Sequence, residues 1–230
     1  MLKIKILDVK IDNLTASKAL KKVERFMTDG KQHYIVTANP EFLVKAQNDD
    51  EFKKILNQAD LAVADGVGLV FASWFLGQPL KQRITGVDLI ESICNLASRK
   101  NWPVFLLGGR EGVAESVVNN LKKKYYLLNI KAFEAREVLF SQGILFVAFG
   151  APKQEKWIVE NLGKMPLIKL AMGVGGAFDF IAGQIPRAPK ILRIIGLEWL
   201  WRLIQEPRRV KRIFKAVVVF PWLVIKSRIY

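Results

Sequence analysis

Asp65 follows a short apolar run, Leu61-Ala-Val-Ala64, and precedes Gly66. A carboxylate at such a strand end can take a proton from an attacking hydroxyl as a general base. Thr37 and Asn39 stand at the end of a second run that begins at Tyr34, directly before Pro40. In open α/β sheets ligands bind beyond the carboxyl ends of the strands, so Thr37, Asn39 and Asp65 fall where chemistry is expected. A plainer reading stands beside this one. Asn39 is a good N-cap with Pro40 at the first helical position, and Asp65-Gly66 can be a turn or a cap.

Glycine-rich turns recur at three further strand ends. Val104-Phe-Leu-Leu-Gly108 runs into Gly109 and then a helical pattern. Glycines let the backbone approach a phosphate, and a helix N-terminus favours negative charge. The spacing departs from G-x-G-x-x-G, so a plain tight turn competes with a dinucleotide site, for which Glu134 would be the ribose-binding acid. Gly150 repeats the layout in the segment Ala148 to Glu155, and Asp179 closes the segment that starts at Gly173. Asp179 could accept hydrogen bonds from a base or a sugar, or be a helix-start acid. Arg83 lies in a loop, where a bidentate, permanently charged guanidinium suits a diphosphate; an ordinary surface arginine is the alternative.

The elements that must hold these residues alternate. Strand-like runs cover 4–7, 34–37, 61–64, 104–107, 130–133, 144–149 and 168–172. Helical patterns cover 15–27, 40–47, 50–58, 68–76, 87–99, 111–124 and 152–161. This is the pattern of an α/β, Rossmann-like, mostly parallel sheet with helices on both faces. One interval is short: about ten residues separate the runs at 130–133 and 144–149, where a parallel crossover usually needs a dozen or more. Either its helix is a single turn or the two strands are not parallel neighbours.

Character changes near Gly183, so we expect a catalytic domain over 1–186 and a basic, aromatic-rich appendage over 187–230. The chain has 230 residues and a net charge of +15. From Arg187 onward there are eleven Lys or Arg against two Glu, with three of the six tryptophans. Such a segment suits nucleic acid, an anionic membrane surface or a solvated basic face. A helix is expected over 191–203 and another from Pro207. On the second, Val210, Ile213, Phe214 and Val217 share one face, and Arg208, Lys211, Arg212 and Lys215 the other. The apolar run 216–225 is interrupted by Pro221 and falls short of the ~20 residues a membrane span requires, so the tail should lie on a membrane and not cross it. The single cysteine, Cys94, falls on an apolar helix face and reads as core. No D-x-D pair or histidine cluster suggests a metal, and His33, the sole histidine, has no evident acidic partner in sequence.

Six segments then occur in one order: Thr-Ala-Asn-Pro-Glu at 37–41, Ala-Asp-Gly-Val-Gly at 64–68, Arg-Ile-Thr-Gly-Val-Asp at 83–88, Phe-Gly-Ala-Pro-Lys-Gln-Glu-Lys-Trp at 149–157, Gly-Val-Gly-Gly-Ala-Phe-Asp at 173–179 and Gly-Leu-Glu-Trp-Leu-Trp-Arg-Leu at 196–203. Over nearly its whole length the chain resembles the WecG/TagA/CpsF glycosyltransferase family, glycosyltransferase family 26. The resemblance implies an inverting, metal-independent enzyme with no cofactor. It would move an N-acetylmannosamine-type sugar from a UDP-sugar to an undecaprenyl-diphosphate-linked N-acetylglucosamine in teichoic acid, common antigen or capsule synthesis. Asp65 would be the base, and Thr37, Asn39, Arg83 and Gln154 would contact substrate. Gly108, Gly109, Gly150 and Asp179 would lie against the nucleotide. Arg202, Arg209 and Arg212 would close the pocket from the appendage. The implied location is cytoplasmic, peripheral on the inner face of the plasma membrane, with an anionic membrane surface and no nucleic acid as partner; a homo-oligomer is left open. One departure from the family pattern is the shortened segment after Phe133, where part of the nucleotide wall is expected. Two other classes stay in view: a nucleotide-dependent oxidoreductase, and a non-catalytic membrane-binding module.

Overall fold

The computed structural model describes residues 2–133 and 143–229; Glu134 lies outside them. The chain opens with a hairpin, β1 (Lys3–Ile6) and β2 (Val9–Asp12), paired antiparallel. Sequence reading anticipated a strand near β1 and missed β2. Its turn is made by Leu7 and Asp8, both at positive φ (47° and 63°). A two-residue hairpin requires that conformation, but it is usually signalled by Asn-Gly or Asp-Gly.

The main sheet contains β3 (His33–Ala38), β4 (Leu61–Ala64), β5 (Val104–Gly108), β6 (Ile130–Phe133), β7 (Gly143–Ala148) and β8 (Ile168–Gly173), in the order β4-β3-β8-β7-β5-β6. Every pairing is parallel. Buried, continuously apolar strands such as β4 (LAVA, all four residues buried) are what a sheet covered on both faces demands. The short interval after β6 is explained by the order: β6 is an edge strand, and β5 lies between it and β7. The other edge, β4, is blunted by the hairpin, where Asp12 Oδ2 accepts from Ala62 N at 2.9 Å.

The covering helices are α1 (Ala16–Phe26), α2 (Pro40–Ala46), α3 (Asp50–Gln58), α4 (Val67–Phe75), α5 (Gly86–Lys100), α6 (Val113–Lys124), α7 (Lys153–Asn161) and the short α8 (Ala177–Ile181). Their starts follow local chemistry. Asn39, Asp49 and Thr85 each accept a hydrogen bond from a backbone amide of the first turn. Helices α1, α5, α6 and α8 contribute to one core, and the hairpin, α2, α3 and α4 to another.

The expected helix over 191–203 is two helices, α9 (Lys190–Ile194) and α10 (Glu198–Gln205). Gly196 parts them, at φ 80°, with Val67 so close that a side chain there would collide with it. After a 3₁₀ turn at Pro207–Arg209 come α11 (Val210–Phe214), a π turn (Lys215–Val219) and α12 (Phe220–Ile229). The wider π turn accommodates Pro221, whose ring would clash with the Val217 carbonyl in a regular helix. The tail returns to the body of the molecule: Phe220 and Val224 are buried in the same core as Leu69 and Ala72. The four residues expected on one membrane-facing stripe therefore divide. Val210, Phe214 and Val217 are exposed and Ile213 is half-buried; Ile213 and Val217 line hollows, whereas Val210 and Phe214 do not. Among the described residues no helix is long and apolar enough to cross a membrane.

Candidate functional site

A cleft opens beyond the carboxyl ends of β3, β4, β7 and β8. It has two contiguous lobes, of about 250 Å³ and about 170 Å³, which share Asn39, Asp65, Arg202, Arg209 and Arg212. Arg83 lines the larger lobe, and Thr37, Gly150 and Gln154 the smaller. The fold thus brings together nine of the residues singled out above, from positions as far apart in sequence as Thr37 and Arg212.

Asp65 stands directly after β4. Its Oδ2 accepts from Gly86 N at 3.0 Å, at the start of α5. No hydrogen bond holds Oδ1 among the described residues. Burial of the carboxyl, reinforced by Glu198 and Asp88, raises it to about 6; the Gly86 amide and Arg83 pull the other way and are outweighed. The residue keeps part of its surface open to the cleft. A carboxylate poised near 6 is still ionised at neutral pH and is more basic than an ordinary aspartate.

Asn39 plays the capping role: its Oδ1 accepts from Phe42 N at 3.0 Å. Gln154 is buried and its side chain makes three hydrogen bonds. Its Oε1 accepts from Gly150 N (3.1 Å) and Gly175 N (3.0 Å), and its Nε2 donates to Glu155 Oε1 (2.6 Å). One amide therefore ties the turn after β7 to the turn after β8. Gly173 permits this, because a Cβ there would sit 2.7 Å from Gln154 Nε2. Burial lifts the Glu155 carboxyl to about 7, against the Gln154 hydrogen bond, and its Oε2 has no partner among the described residues.

The cations come largely from the tail. Arg202 and Arg209 each donate Nε to Glu206 Oε2, at 2.9 and 2.7 Å. Arg202 also lies over the Phe180 ring and packs on Gly176, where a Cβ would be 2.7 Å from Nη2. That Nη2 is buried without a hydrogen-bond partner among the described residues. Burial, then the nearby Arg209, depresses the Arg202 guanidinium below its ordinary value. Arg212 pairs with Glu41. Arg83 is held by the Arg193 carbonyl (3.3 Å) and Glu198 (3.7 Å).

Other singled-out residues stand apart from the two lobes. Asp179 is in α8, paired with Arg110 (3.0 Å) and Arg202 (3.8 Å) behind the wall. Gly108 and Gly109 also lie outside the lining, and at Gly108 the Phe149 ring occupies the space of a Cβ. His33 does have acidic neighbours: its Nε2 lies 3.0 Å from Asp29 and its Nδ1 3.0 Å from Asp60, at the opposite end of β3 from the cleft. Cys94 is buried core. No group of three or more His, Cys, Asp or Glu that could hold a metal occurs among the described residues.

Sequence reading assigned no role to Glu41, Glu198 and Glu206. A signal was present for two of them. Glu198 and Glu206 are the only acids in the basic tail, and each holds cleft arginines.

Comparison with known proteins gives this cleft a context. The profile of the Glycosyl transferase WecG/TagA/CpsF family matches residues 4–230. The chain is 34% identical, over 98% of its length and 93% of the relative's, to an N-acetylglucosaminyldiphosphoundecaprenol N-acetyl-beta-D-mannosaminyltransferase of Staphylococcus aureus strain MRSA252. It is 33% identical, with the same coverage, to proteins of that name in strains MW2 and NCTC 8325. With its parallel α/β fold and tail-closed cleft, this chain belongs to the WecG/TagA/CpsF family of glycosyltransferases.

Proposed function

We propose that the enzyme transfers an N-acetylmannosamine-type sugar from a UDP-sugar to a lipid-diphosphate-linked N-acetylglucosamine, with inversion and without a metal. The observation that carries the reading is Asp65, oriented by Gly86 N at 3.0 Å and raised to about 6 within a ring of arginines. The names of the relatives support the choice of sugar and acceptor.

In this reading the acceptor hydroxyl attacks the anomeric carbon while the bond from that carbon to the UDP oxygen breaks. The electron pair leaves with UDP, and the hydroxyl proton passes to Asp65 Oδ1, the oxygen not held by Gly86. A single base and a single displacement invert the anomeric centre. The other acids at the cleft, Glu41 and Glu198, are paired with arginines. Charge developing on the diphosphate is met by Arg202 and Arg209, whose guanidiniums share Glu206; Arg202 Nη2 has no hydrogen-bond partner among the described residues and is free to donate. Fixed donors aimed at that charge do the work a cation would otherwise do.

We also infer a peripheral seat on the cytoplasmic membrane face. Phe71, Trp74, Ile191, Ile194 and Trp222 are all more than half exposed, and the tail carries most of the excess basic charge. We further propose that 187–230 acts as the cleft-closing unit of a domain spanning 1–186. The test is incubation with a panel of UDP-sugars and a short-chain lipid diphosphate bearing N-acetylglucosamine, followed by product mass. A product heavier by one N-acetylhexosamine, with turnover lost in Asp65→Asn, is expected; no product from any UDP-sugar would overturn the reading.

A further inference from the structure

A third hollow, of about 460 Å³, runs between α4 and α12 and is almost entirely apolar. Its walls are Phe71 and Phe75 on one side and Val217, Pro221, Val224 and Ile225 on the other. Four of these are large side chains left substantially in water: Phe71 at 67%, Phe75 at 42%, Val217 at 39% and Ile225 at 48% exposed. An exposed apolar groove of this kind marks a binding surface more often than an accident of packing.

The groove is continuous with the catalytic cleft. Pro40, Gly66, Val67, Trp199 and Ala216 line both it and the larger lobe. Gly66 directly follows Asp65, so the apolar floor begins one residue from the proposed base. No arginine lines the groove: the polar lining of the larger lobe, with Asp65, Arg83, Arg202, Arg209 and Arg212, gives way across these shared residues to an apolar channel. That change of lining suits an acceptor whose sugar and diphosphate lie in the cleft and whose hydrocarbon chain leaves along the groove.

We propose that the groove between α4 and α12 binds the diphosphate-proximal isoprene units of the acceptor's polyprenyl chain, making chain length a determinant of acceptor affinity. The inference rests on the functional reading above. It goes beyond a tail that merely rests on a membrane: the lipid is drawn out of the bilayer and held by protein at the mouth of the cleft. The groove has one wall from the body of the fold and one from the tail, so it exists only when the tail is docked. Each five-carbon unit seated in the groove takes apolar carbon out of water and should tighten binding by about tenfold or more.

The experiment measures binding first and catalysis second. Isopentenyl, geranyl and farnesyl diphosphate are titrated into the full chain by calorimetry. Val217→Trp is the variant, because Val217 lines the groove but neither lobe of the cleft and its exposure leaves room for a larger side chain outside the core. Ile225→Trp, farther along α12, serves if the first variant does not fold. Affinity that rises from isopentenyl to farnesyl diphosphate in the wild type, with the farnesyl gain reduced at least tenfold by the variant, supports the groove. Affinity independent of chain length overturns it. So does a variant that loses binding to anionic vesicles while its farnesyl gain is intact, which would make the groove a membrane-seating face. Transfer to acceptors of matching chain length separates the two claims: no transfer from any UDP-sugar, with the chain-length dependence of binding intact, defeats the catalytic reading and upholds the prenyl site. Transfer with a KM independent of chain length, in wild type and variant alike, defeats the prenyl site alone.

Discussion

Arg212 Nε donates to both carboxylate oxygens of Glu41, at 2.8 and 3.0 Å, across 171 residues of chain. Glu41 is in the first turn of α2, two residues after Asn39, so the contact registers the tail against the strand end that carries Thr37 and Asn39. Burial alone would push the Glu41 carboxyl up; Arg212 together with Lys45, 3.0 Å away, outweighs it and the group titrates below its ordinary value.

Arg212→Ala should therefore lower turnover on a soluble acceptor in detergent, where membrane anchoring plays no part, by roughly tenfold or more, as loss of a charge-assisted hydrogen bond in a partly closed site predicts. The effect on folding stability should be small, below about 1 kcal/mol, because half of the guanidinium side chain faces water. Glu41 has a depressed pKa, so its pairing stabilises the docked tail above the ordinary carboxylate range and is lost as pH falls below it. Hydrogen exchange in α11 should thus rise on acidification. Wild-type turnover by Arg212→Ala would mean that the pair only decorates the surface.

Asp65→Asn should reduce turnover by ~10²-fold or more with little change in donor affinity. It should also stabilise the protein. The folded-state pKa of about 6 lies above the ordinary 3.8, so the folded protein binds the proton more tightly and ionised Asp65 opposes folding. Its contribution to stability falls as pH rises from about 4 to about 6 and stays unfavourable above that. Removing the charge should raise stability at neutral pH by on the order of 1–3 kcal/mol, a gain that closes in acid. In the wild type, kcat/KM should fall on acidification through about 6 as the base is protonated. Thermal melts of both proteins across pH, beside the pH–rate profile, check both halves; an unchanged melt would mean the carboxylate is better solvated than its raised pKa implies.

How much of this was readable in advance follows from what each feature depends on. The parallel sheet, the strand ends at Thr37 and Asp65 and the cap at Asn39 are local: hydrophobic period and cap chemistry report them directly. The hairpin escaped because Leu7 and Asp8 adopt positive φ without a glycine to announce it. The break at Gly196 and the return of Phe220 and Val224 to the core are set by contacts with α4 and its neighbours, distant in sequence. Gln154 shows the same limit. Its place beside a glycine turn was visible, but the second turn it clasps, at Gly175, lies 21 residues away. The acids that hold the arginines were legible only as types, since nothing in the spacing of Glu206 says which guanidiniums it meets.

Gln154→Ala tests that clasp. It strands the part-buried amides of Gly150 and Gly175 and one buried oxygen of Glu155, the last at a cost of about 1–3 kcal/mol. We expect a lower melting temperature together with reduced turnover. Gln154→Glu should be worse than its size suggests, because it sets a second carboxylate against Glu155, already raised to about 7 by burial. If Gln154→Ala melts as the wild type does and loses only donor affinity, the side chain contacts substrate and does not position the turns.

Turnover should survive EDTA. The positive charge at the diphosphate is assigned to Arg202, Arg209 and Arg212, all lining both lobes of the cleft. Arg202→Ala should accordingly cost ~10²-fold or more in kcat, and added Mg²⁺ should not restore it. Loss of activity in EDTA that is reversed by a divalent ion would place a cation where these arginines are assigned.

The membrane seat needs a test that leaves the fold alone. Deletion after Gln205 would remove Phe220 and Val224 from the core, exposing Leu69 and Ala72, so it confuses anchoring with folding. Arg208→Glu with Lys226→Glu avoids this. Neither residue lines the cleft, and Lys226 stacks over the exposed Trp222 ring at 5.3 Å. Each basic residue near an anionic surface contributes about 1 kcal/mol, so the double reversal should weaken binding to anionic vesicles by at least tenfold. Binding of the wild type should also fall steeply with salt, as a screened surface attraction must. Turnover on a soluble acceptor should not change, because the arginines of the cleft are untouched. Trp222→Ser should weaken vesicle binding in a salt-independent way, through lost apolar insertion alone. Equal vesicle binding by the double reversal and the wild type would remove the tail's charge from the membrane interaction and leave its arginines with a single duty at the cleft.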